Sequence, residues 1–222
     1  MLYKEIQILL KKEIQLEFRK RTAISGVLLY VVTTIFVCYL SFNRLDSASV
    51  WNNLFWIILI FASTNAAAKS FDEERDGRHL YLYTLASPQA VVLSKILYNT
   101  ALLALLALFA LIVFVALLGN EPLAQTHWSV FLTALLLGTA GLGSLLTLIS
   151  AISSRTGNNL GLMAILAFPV MLPLLLTLEK VTSLAIQGFG WDVTSKYLLV
   201  LLGMNALTAA LSFILFPYLW RD

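Results

Sequence analysis

Residues 101–118 read ALLALLALFALIVFVALL, an apolar stretch long enough for about five turns of α-helix. A membrane β-strand would instead alternate apolar and polar residues over about ten positions. Backbone groups in lipid must be hydrogen-bonded internally, and a helix achieves this within one segment. The stretch therefore predicts a membrane-spanning helix.

Long segments without a charged residue recur along the whole chain. Such runs are 22–43, 47–68, 96–120, 122–154, 156–178 and 197–220. A spanning helix needs about 20 apolar residues to cross a hydrocarbon layer of roughly 30 Å. We place the spans at 23–42, 49–68, 97–118, 129–152, 159–178 and 197–217. With 12% charged residues the chain could not cover a water-soluble surface. The sequence thus predicts an all-α polytopic membrane protein with six transmembrane helices in a single domain over 1–222.

The cationic residues predict which way the chain crosses. Cytoplasmic loops carry an excess of Lys and Arg. If the N-terminus is cytoplasmic, only Arg44, Lys180 and Lys196 of the 15 Lys and Arg residues lie outside. Six spans then return the C-terminus to the cytoplasm. The basic residues follow topology, so the net charge gives no reason to expect nucleic-acid binding.

Residues 1–21 predict an amphipathic helix in the membrane interface. Their apolar residues recur at spacings of three and four: Leu2, Ile6, Leu9, Leu10, Ile14 and Phe18. Such a helix rests with its apolar face down and its cations near anionic headgroups. Two readings stay open, a plain membrane anchor and an elbow helix that braces the protein or contacts a partner.

The largest cytoplasmic loop, 70–87, has the composition of a docking segment. Its acidic part holds Asp72, Glu73, Glu74, Arg75, Asp76 and Gly77, and its apolar part holds Leu80, Leu82 and Leu85. Ser87 and Pro88 are typical of an N-cap and a first helical residue, so the following helix should run directly into the third span. A short coupling helix presented to a cytoplasmic partner and a merely solvated loop are both compatible with this pattern.

Two further patterns lie within the spans. Pro169 and Pro173 are four residues apart, which places two predicted kinks on one face of span five. That helix either bends to line a cavity or packs statically. Span four contains several small residues, such as Gly138. Gly157 and Gly161 form a Gly-x-x-x-Gly motif at the start of span five. Small residues let helices approach closely, within the chain or at a homodimer seam.

Other residues have interfacial interpretations. Val181–Ile186 is predicted as a surface helix interrupted by Gly188 and Gly190. Four tryptophans near span ends are predicted to anchor at the interface: Trp51, Trp56, Trp128 and Trp191. His127, at the outer end of span four, is either another interfacial polar residue or a candidate for a haem ligand.

The absence of several motifs from the sequence limits the functions that the chain can have. The sequence has no phosphate-binding Gly-x-x-x-x-Gly-Lys loop, no metal-ligand spacing and no nucleophile–base set. The chain is therefore not expected to be an enzyme, and energy for transport would have to come from another subunit.

The pattern Glu74-Arg75-Asp76-Gly77, followed by Leu80, Leu82, Leu85, Pro88 and Lys95, resembles the coupling region of ABC-2-type transporter permeases. Within that group the chain looks like the B subunit of the cytochrome c maturation (haem exporter) ABC complex. The features in common are a length near 220, the sequence ASTNAAAKSF at the end of span two and a Pro-x-x-x-Pro in span five.

The resemblance implies a permease subunit in a bacterial inner membrane that docks a separate cytoplasmic ATPase through 70–87, with ATP bound on that partner. It also implies a homodimer of this chain, a haem-handling membrane protein and a small accessory subunit, with haem as cargo or ligand. An ABC-2 permease for a drug, lipid or polysaccharide and a non-transporting membrane scaffold are the alternatives. The lack of polar clusters in the spans disfavours a membrane enzyme.

Overall fold

The computed structural model of the chain describes residues 2–20, 22–42, 45–68, 86–155 and 160–221. These residues form seven α-helices and one 3-10 turn, and no strand occurs among them. The helices are α1 (Leu2–Lys20), α2 (Thr22–Phe42), α3 (Ala48–Ala68), α4 (Pro88–Leu118), α5 (Trp128–Arg155), α6 (Leu160–Ile186) and α7 (Trp191–Arg221).

Helices α2 to α7 are each long and apolar enough to cross a membrane. The predicted all-α architecture with six spans is therefore confirmed. The predicted limits hold for α2, α3 and α5 to within a few residues, whereas α4, α6 and α7 extend beyond the hydrocarbon-length segments. In α4 the additional residues lie before the span, so the helix begins at Pro88 as Ser87 and Pro88 predicted.

The prediction of a separate surface helix at Val181–Ile186 is wrong, because these residues are the last turns of α6. Charged side chains at Glu179 and Lys180 do not stop a helix whose backbone remains bonded. The helix instead ends before Gly188, which has a φ of +87° and lies close to the carbonyl oxygen of Gln125. A residue with a side chain is strained in that left-handed conformation, so glycine ends the helix here.

Helix α5 is the centre of the bundle. It contacts α3, α4, α6 and α7, and every residue from 141 to 150 is buried. The small residues of this span permit the enclosure: a Cβ at Gly138 would meet the side chains of Leu178 and Trp56 at 2.6 and 2.9 Å. At Gly138, the small-residue pattern therefore serves packing within the chain.

Aromatic rings fill the bundle near the start of α3. Trp51 stacks on Phe55 with ring centroids 5.5 Å apart and meets Phe114 edge-on at 5.0 Å. Trp56 is also buried, and its indole Nε1–H donates to Thr182 Oγ1 over 3.0 Å. The prediction that Trp51 and Trp56 anchor the chain at the interface is wrong, since both are core residues. Trp128 and Trp191 are exposed, as an interfacial position requires.

Candidate functional site

The segment predicted to couple to an ATPase lies between α3 and α4. Its acidic and apolar residues lie outside the described part of the chain: Asp72, Glu73, Glu74, Arg75, Asp76, Gly77, Leu80, Leu82 and Leu85. The structure does describe both ends of the segment. Each end is held by a hydrogen bond to a different helix, and these anchors define the candidate site.

The first anchor holds the end of α3. Ser150 of α5 donates its hydroxyl to the carbonyl oxygen of Ala67 over 2.9 Å, and both residues are buried. The last turn of a helix has carbonyl groups without intrahelical partners. The Ser150 hydroxyl bonds to one of them from the central helix, so the chain leaves α3 at a fixed point.

The second anchor holds the beginning of α4. Glu5 of α1 accepts two hydrogen bonds at Oε2, from the Ser87 hydroxyl at 2.6 Å and from the Ser87 backbone N–H at 3.1 Å. Ser87 stands at the predicted N-cap position with extended backbone, and Pro88 follows at the start of the helix. The Ser87 side chain makes no capping bond to its own helix, however, because its hydroxyl proton goes to Glu5.

The Glu5 carboxylate suits this position electrostatically. The N-terminus of a helix carries a partial positive charge, which stabilises a nearby anion. The two hydrogen bonds from Ser87, of which the side-chain bond has the larger effect, lower the pKa of Glu5 from its ordinary value of 4.5. Glu5 is therefore ionised at neutral pH, and the contact is a charge-assisted one.

A second polar contact joins α1 and α4 farther along both helices. Lys95 Nζ lies 3.6 Å from Glu13 Oε1, and only 4% of the Lys95 side chain is exposed. Lys12 approaches the same carboxylate oxygen at 3.4 Å. Position 13 is eight residues after position 5, and 95 is eight after 87, so the two helices run side by side in the same direction over about two turns.

Apolar packing accompanies these polar contacts. Leu9, midway between Glu5 and Glu13, is buried in a cluster with Val92 and Ile96 of α4. Ala151 of α5 and Phe216 of α7 belong to the same cluster. Helix α1 therefore packs mainly against α4, in a cluster that residues of α5 and α7 complete. The two readings of residues 1–21, a plain membrane anchor and an elbow helix that braces the protein or contacts a partner, both remain predictions.

The predicted kink of span five maps onto the exposed side of α6. The helix is continuous from Leu160 to Ile186 through both prolines. Pro169 and Pro173 are exposed, and so is Phe168 beside them, with 66% of its surface accessible. The face of α6 that carries both prolines is therefore directed away from the bundle.

The small-residue predictions fall in different surroundings. Gly138 is enclosed within the chain, as described above. Gly161 lies at the exposed start of α6, and Gly157 is outside the described residues. The Gly-x-x-x-Gly pair is therefore described at one of its two positions.

His127 lies just before α5, at the opposite end of the bundle from Glu5 and Ser87. Its backbone N–H donates to the carbonyl oxygen of Ala185 over 2.9 Å. Its Nδ1 lies 3.1 Å from Ser129 Oγ, and the Trp191 indole Nε1–H donates to the same oxygen over 3.1 Å. His127 is thus joined to the ends of both α6 and α7. No group of three or more metal-binding side chains occurs among the described residues.

Several polar contacts between spans were not predicted from the sequence. Asn99 of α4 donates to Thr147 over 2.7 Å, and Asn205 of α7 donates to the Leu137 carbonyl oxygen over 2.9 Å. The Glu5 and Glu13 contacts with α4 were also missed. The single cation at 95, within an otherwise apolar stretch, was the one signal that a carboxylate should lie nearby.

The comparison with known proteins agrees with this architecture. Residues 4–218 match the family model described as CcmB, the CcmB protein, which covers nearly the whole chain. No curated protein matches the chain. Members of the matched family are transport permeases of bacterial inner membranes and work in an ABC system with an ATPase partner. The chain belongs to the CcmB family, the permease component of the haem exporter ABC system for cytochrome c maturation.

Proposed function

We propose that this chain docks a separate cytoplasmic ATPase through residues 70–87 and transmits the motion of that ATPase to its spans. The observation that supports the proposal most directly is the anchoring of both ends of the segment, by Ser150 on Ala67 and by Glu5 on Ser87. A segment with two fixed ends passes a displacement to the helices that hold it. The acidic residues Asp72, Glu73, Glu74 and Asp76 would pair with basic groups on the partner, which aids orientation and encounter.

Within this proposal, α1 has a mechanical role. A load on the docking segment reaches α4 through Pro88 and reaches α1 through the Ser87–Glu5 contact. Because Glu13 and Lys95 join the same two helices again, α1 and the beginning of α4 would move together. The partner hydrolyses ATP and this chain does not.

The remaining features of the complex follow from the family and the charge distribution. Both termini would be cytoplasmic, since most of the Lys and Arg residues then lie inside. Two copies of the chain would pair, each with one ATPase, alongside a haem-handling membrane protein and a small accessory subunit. Pro169 and Pro173 each remove a backbone donor from α6, so we expect that helix to bend there during the cycle. Gly157 and Gly161 are the residues we expect at a homodimer seam.

The test is affinity purification of the full chain in mild detergent from cells that express the complete system. The wild-type chain should recover an ATPase and haem-handling proteins. The variants Glu74→Lys and Gly77→Pro should lose the ATPase while they still insert in the membrane. Asp46→Lys is the matched control, because Asp46 is exposed in the connection between α2 and α3, on the other side of the membrane.

The same variants separate the proposal from a scaffold that has no transport cycle. A scaffold predicts that cytochrome c maturation continues when the loop is altered. Normal maturation and normal recovery of the ATPase in the Glu74→Lys variant would therefore contradict docking through 70–87.

A further inference from the structure

His127 is held in a defined orientation by groups from three parts of the chain. Its backbone is bonded to Ala185 at the end of α6. Its Nδ1 is within hydrogen-bonding distance of Ser129 on α5, and Ser129 is in turn bonded by Trp191 on α7. An interfacial histidine that only meets lipid headgroups needs no such support. The contacts instead fix the plane of the imidazole ring and engage one of its two nitrogens.

The other ring nitrogen, Nε2, lies beside a glycine, Gly190. A Cβ placed on Gly190 would lie 3.6 Å from Nε2 and 3.7 Å from Cδ2 of His127, and it would approach no other group within 4 Å. Glycine at 190 therefore places no side chain against this edge of the imidazole, where a larger residue would make van der Waals contact. No side-chain hydrogen bond to Nε2 occurs within the part of the chain that the structure describes.

Exposed aromatic residues are the sequence neighbours of His127 and Gly190. Trp128, Phe189 and Trp191 adjoin His127 and Gly190, and between 43% and 46% of each residue is exposed. The Trp191 N–H is used within the protein, in the bond to Ser129, rather than left for water or headgroups. The ring is thus oriented although it is half exposed, which is typical of a contact surface for a flat apolar ligand.

An imidazole with one nitrogen bonded and the other open is the usual form of a protein ligand to iron. The hydrogen bond on the first nitrogen sets the tautomer and the ring orientation, and the second nitrogen binds the metal. Haem iron takes an axial histidine in this way, and apolar side chains accept the porphyrin face.

We propose that His127 Nε2 is an axial ligand to haem, with the aromatic residues Trp128, Phe189 and Trp191 around the macrocycle. In that state Nδ1 carries the proton and donates it to Ser129 Oγ. The inference rests on the haem-exporter function of the family and assigns a place where that cargo contacts the chain. His127 is partly exposed and supplies one ligand, so the site is suited to passing haem on rather than to storing it.

The experiment is a titration of the purified full chain in detergent with haemin, followed by absorption and electron paramagnetic resonance spectra. The wild type should bind one haemin per chain with the spectrum of a histidine-ligated ferric haem. His127→Gly should lose that spectrum, and added imidazole should restore it. His79→Ala, which removes the other histidine of the chain, should leave the spectrum unchanged.

Two further variants keep the result interpretable if His127→Gly fails to fold. Gly190→Leu retains the histidine and covers Nε2, so it should weaken the histidine-ligated form; the backbone at 190 has no positive φ that would strain a side chain. Ser129→Ala removes the partner of Nδ1, and loss of such a group costs roughly tenfold or more in metal affinity. Both effects should occur while the protein remains folded.

The proposal is overturned if the wild type shows no saturable histidine-ligated spectrum, or if the spectrum survives both His127→Gly and Gly190→Leu. Recovery of the ATPase and its dependence on Glu74 are measured separately. If the chain still docks its ATPase but shows no histidine-ligated haemin spectrum, the proposed function stands and the proposed haem site is overturned.

Discussion

Glu5 Oε2 lies 2.6 Å from Ser87 Oγ and 3.1 Å from the Ser87 backbone nitrogen, so one carboxylate oxygen of the N-terminal helix accepts both donors at the start of α4. The contact also lies directly beside the proposed docking segment. It therefore offers a way to test whether α1 and α4 act as one unit.

Removal of the Glu5 carboxylate should loosen the start of α4. In Glu5→Ala, the amide hydrogens of residues 87–92 should exchange faster, because the Ser87 N–H loses its acceptor and the helix N-terminus loses a nearby anion. Hydrogen exchange read by mass spectrometry measures this. Gln7→Ala is the control, since Gln7 is exposed on the same helix and should leave exchange in α4 unchanged. Equal exchange in Glu5→Ala and wild type would show that the contact does not hold the helix end.

The contribution of Glu5 should depend on pH in a defined direction. Its pKa is lowered from 4.5 in the folded protein, so the folded state favours the ionised form. The stabilisation is therefore fully present above pH 4.5 and is lost as pH falls through the lowered pKa. The difference in thermal midpoint between wild type and Glu5→Gln should be constant from neutrality to about that pH and then shrink. A difference that widened on acidification would contradict this assignment.

Loss of the ion pair between Glu13 and Lys95 should destabilise the protein. Lys95 is almost fully buried, and loss of a carboxylate partner leaves part of its charge uncompensated. We expect Glu13→Gln to cost about 1–3 kcal/mol, below the range for a fully buried pair because Glu13 is partly exposed. Lys95→Met and the double variant complete a thermodynamic cycle by thermal unfolding in detergent. If the double variant is no more stable than the sum of the single effects predicts, the two residues are not coupled.

The close packing of α4 against α5 should make Gly143 intolerant of a side chain. A Cβ at this position would lie 3.0 Å from the Thr100 Cα and 3.1 Å from its backbone nitrogen, and backbone atoms cannot move aside alone. Gly143→Ala should therefore cost about 1–3 kcal/mol through overpacking.

Gly203→Ala is the matched control for Gly143→Ala, because a Cβ at Gly203 meets nothing within 4 Å. Alanine favours a helix over glycine by about 1 kcal/mol, so this variant should be neutral or slightly stabilised. Equal thermal midpoints for the two variants would show that α4 and α5 are not packed as closely as the structure describes.

The membrane architecture could be predicted from the sequence because its causes are local. A span requires a charge-free segment of a certain length, and each such segment is contiguous in the chain. The start of α4 was equally local, since Ser87 and Pro88 have known positional preferences. The partner of Ser87 could not be predicted in this way, because Glu5 is 82 residues away and nothing in its own neighbourhood indicates the pairing.

Hydrophobicity alone also could not distinguish residues that face lipid from those that face the bundle. Trp51 and Trp128 both lie near the end of a span, yet the first is fully buried and the second is 43% exposed. Which side of a helix faces inward is decided by its neighbours, and these become known only with the fold. His127 illustrates the same limit, because Ser129 was close in sequence while Gly190 and Trp191 were brought to it by α6 and α7.

The position of α1 has a consequence for how the chain is made. Helix α1 is synthesised before the six spans, but the cluster around its Leu9 is completed by residues of α4, α5 and α7, where Phe216 contributes. The packing of α1 is therefore complete only after nearly all of the spans have been synthesised. A chain whose synthesis stops before the last span would leave this helix without part of its binding surface, and membrane proteases that recognise loosely held segments would meet it there.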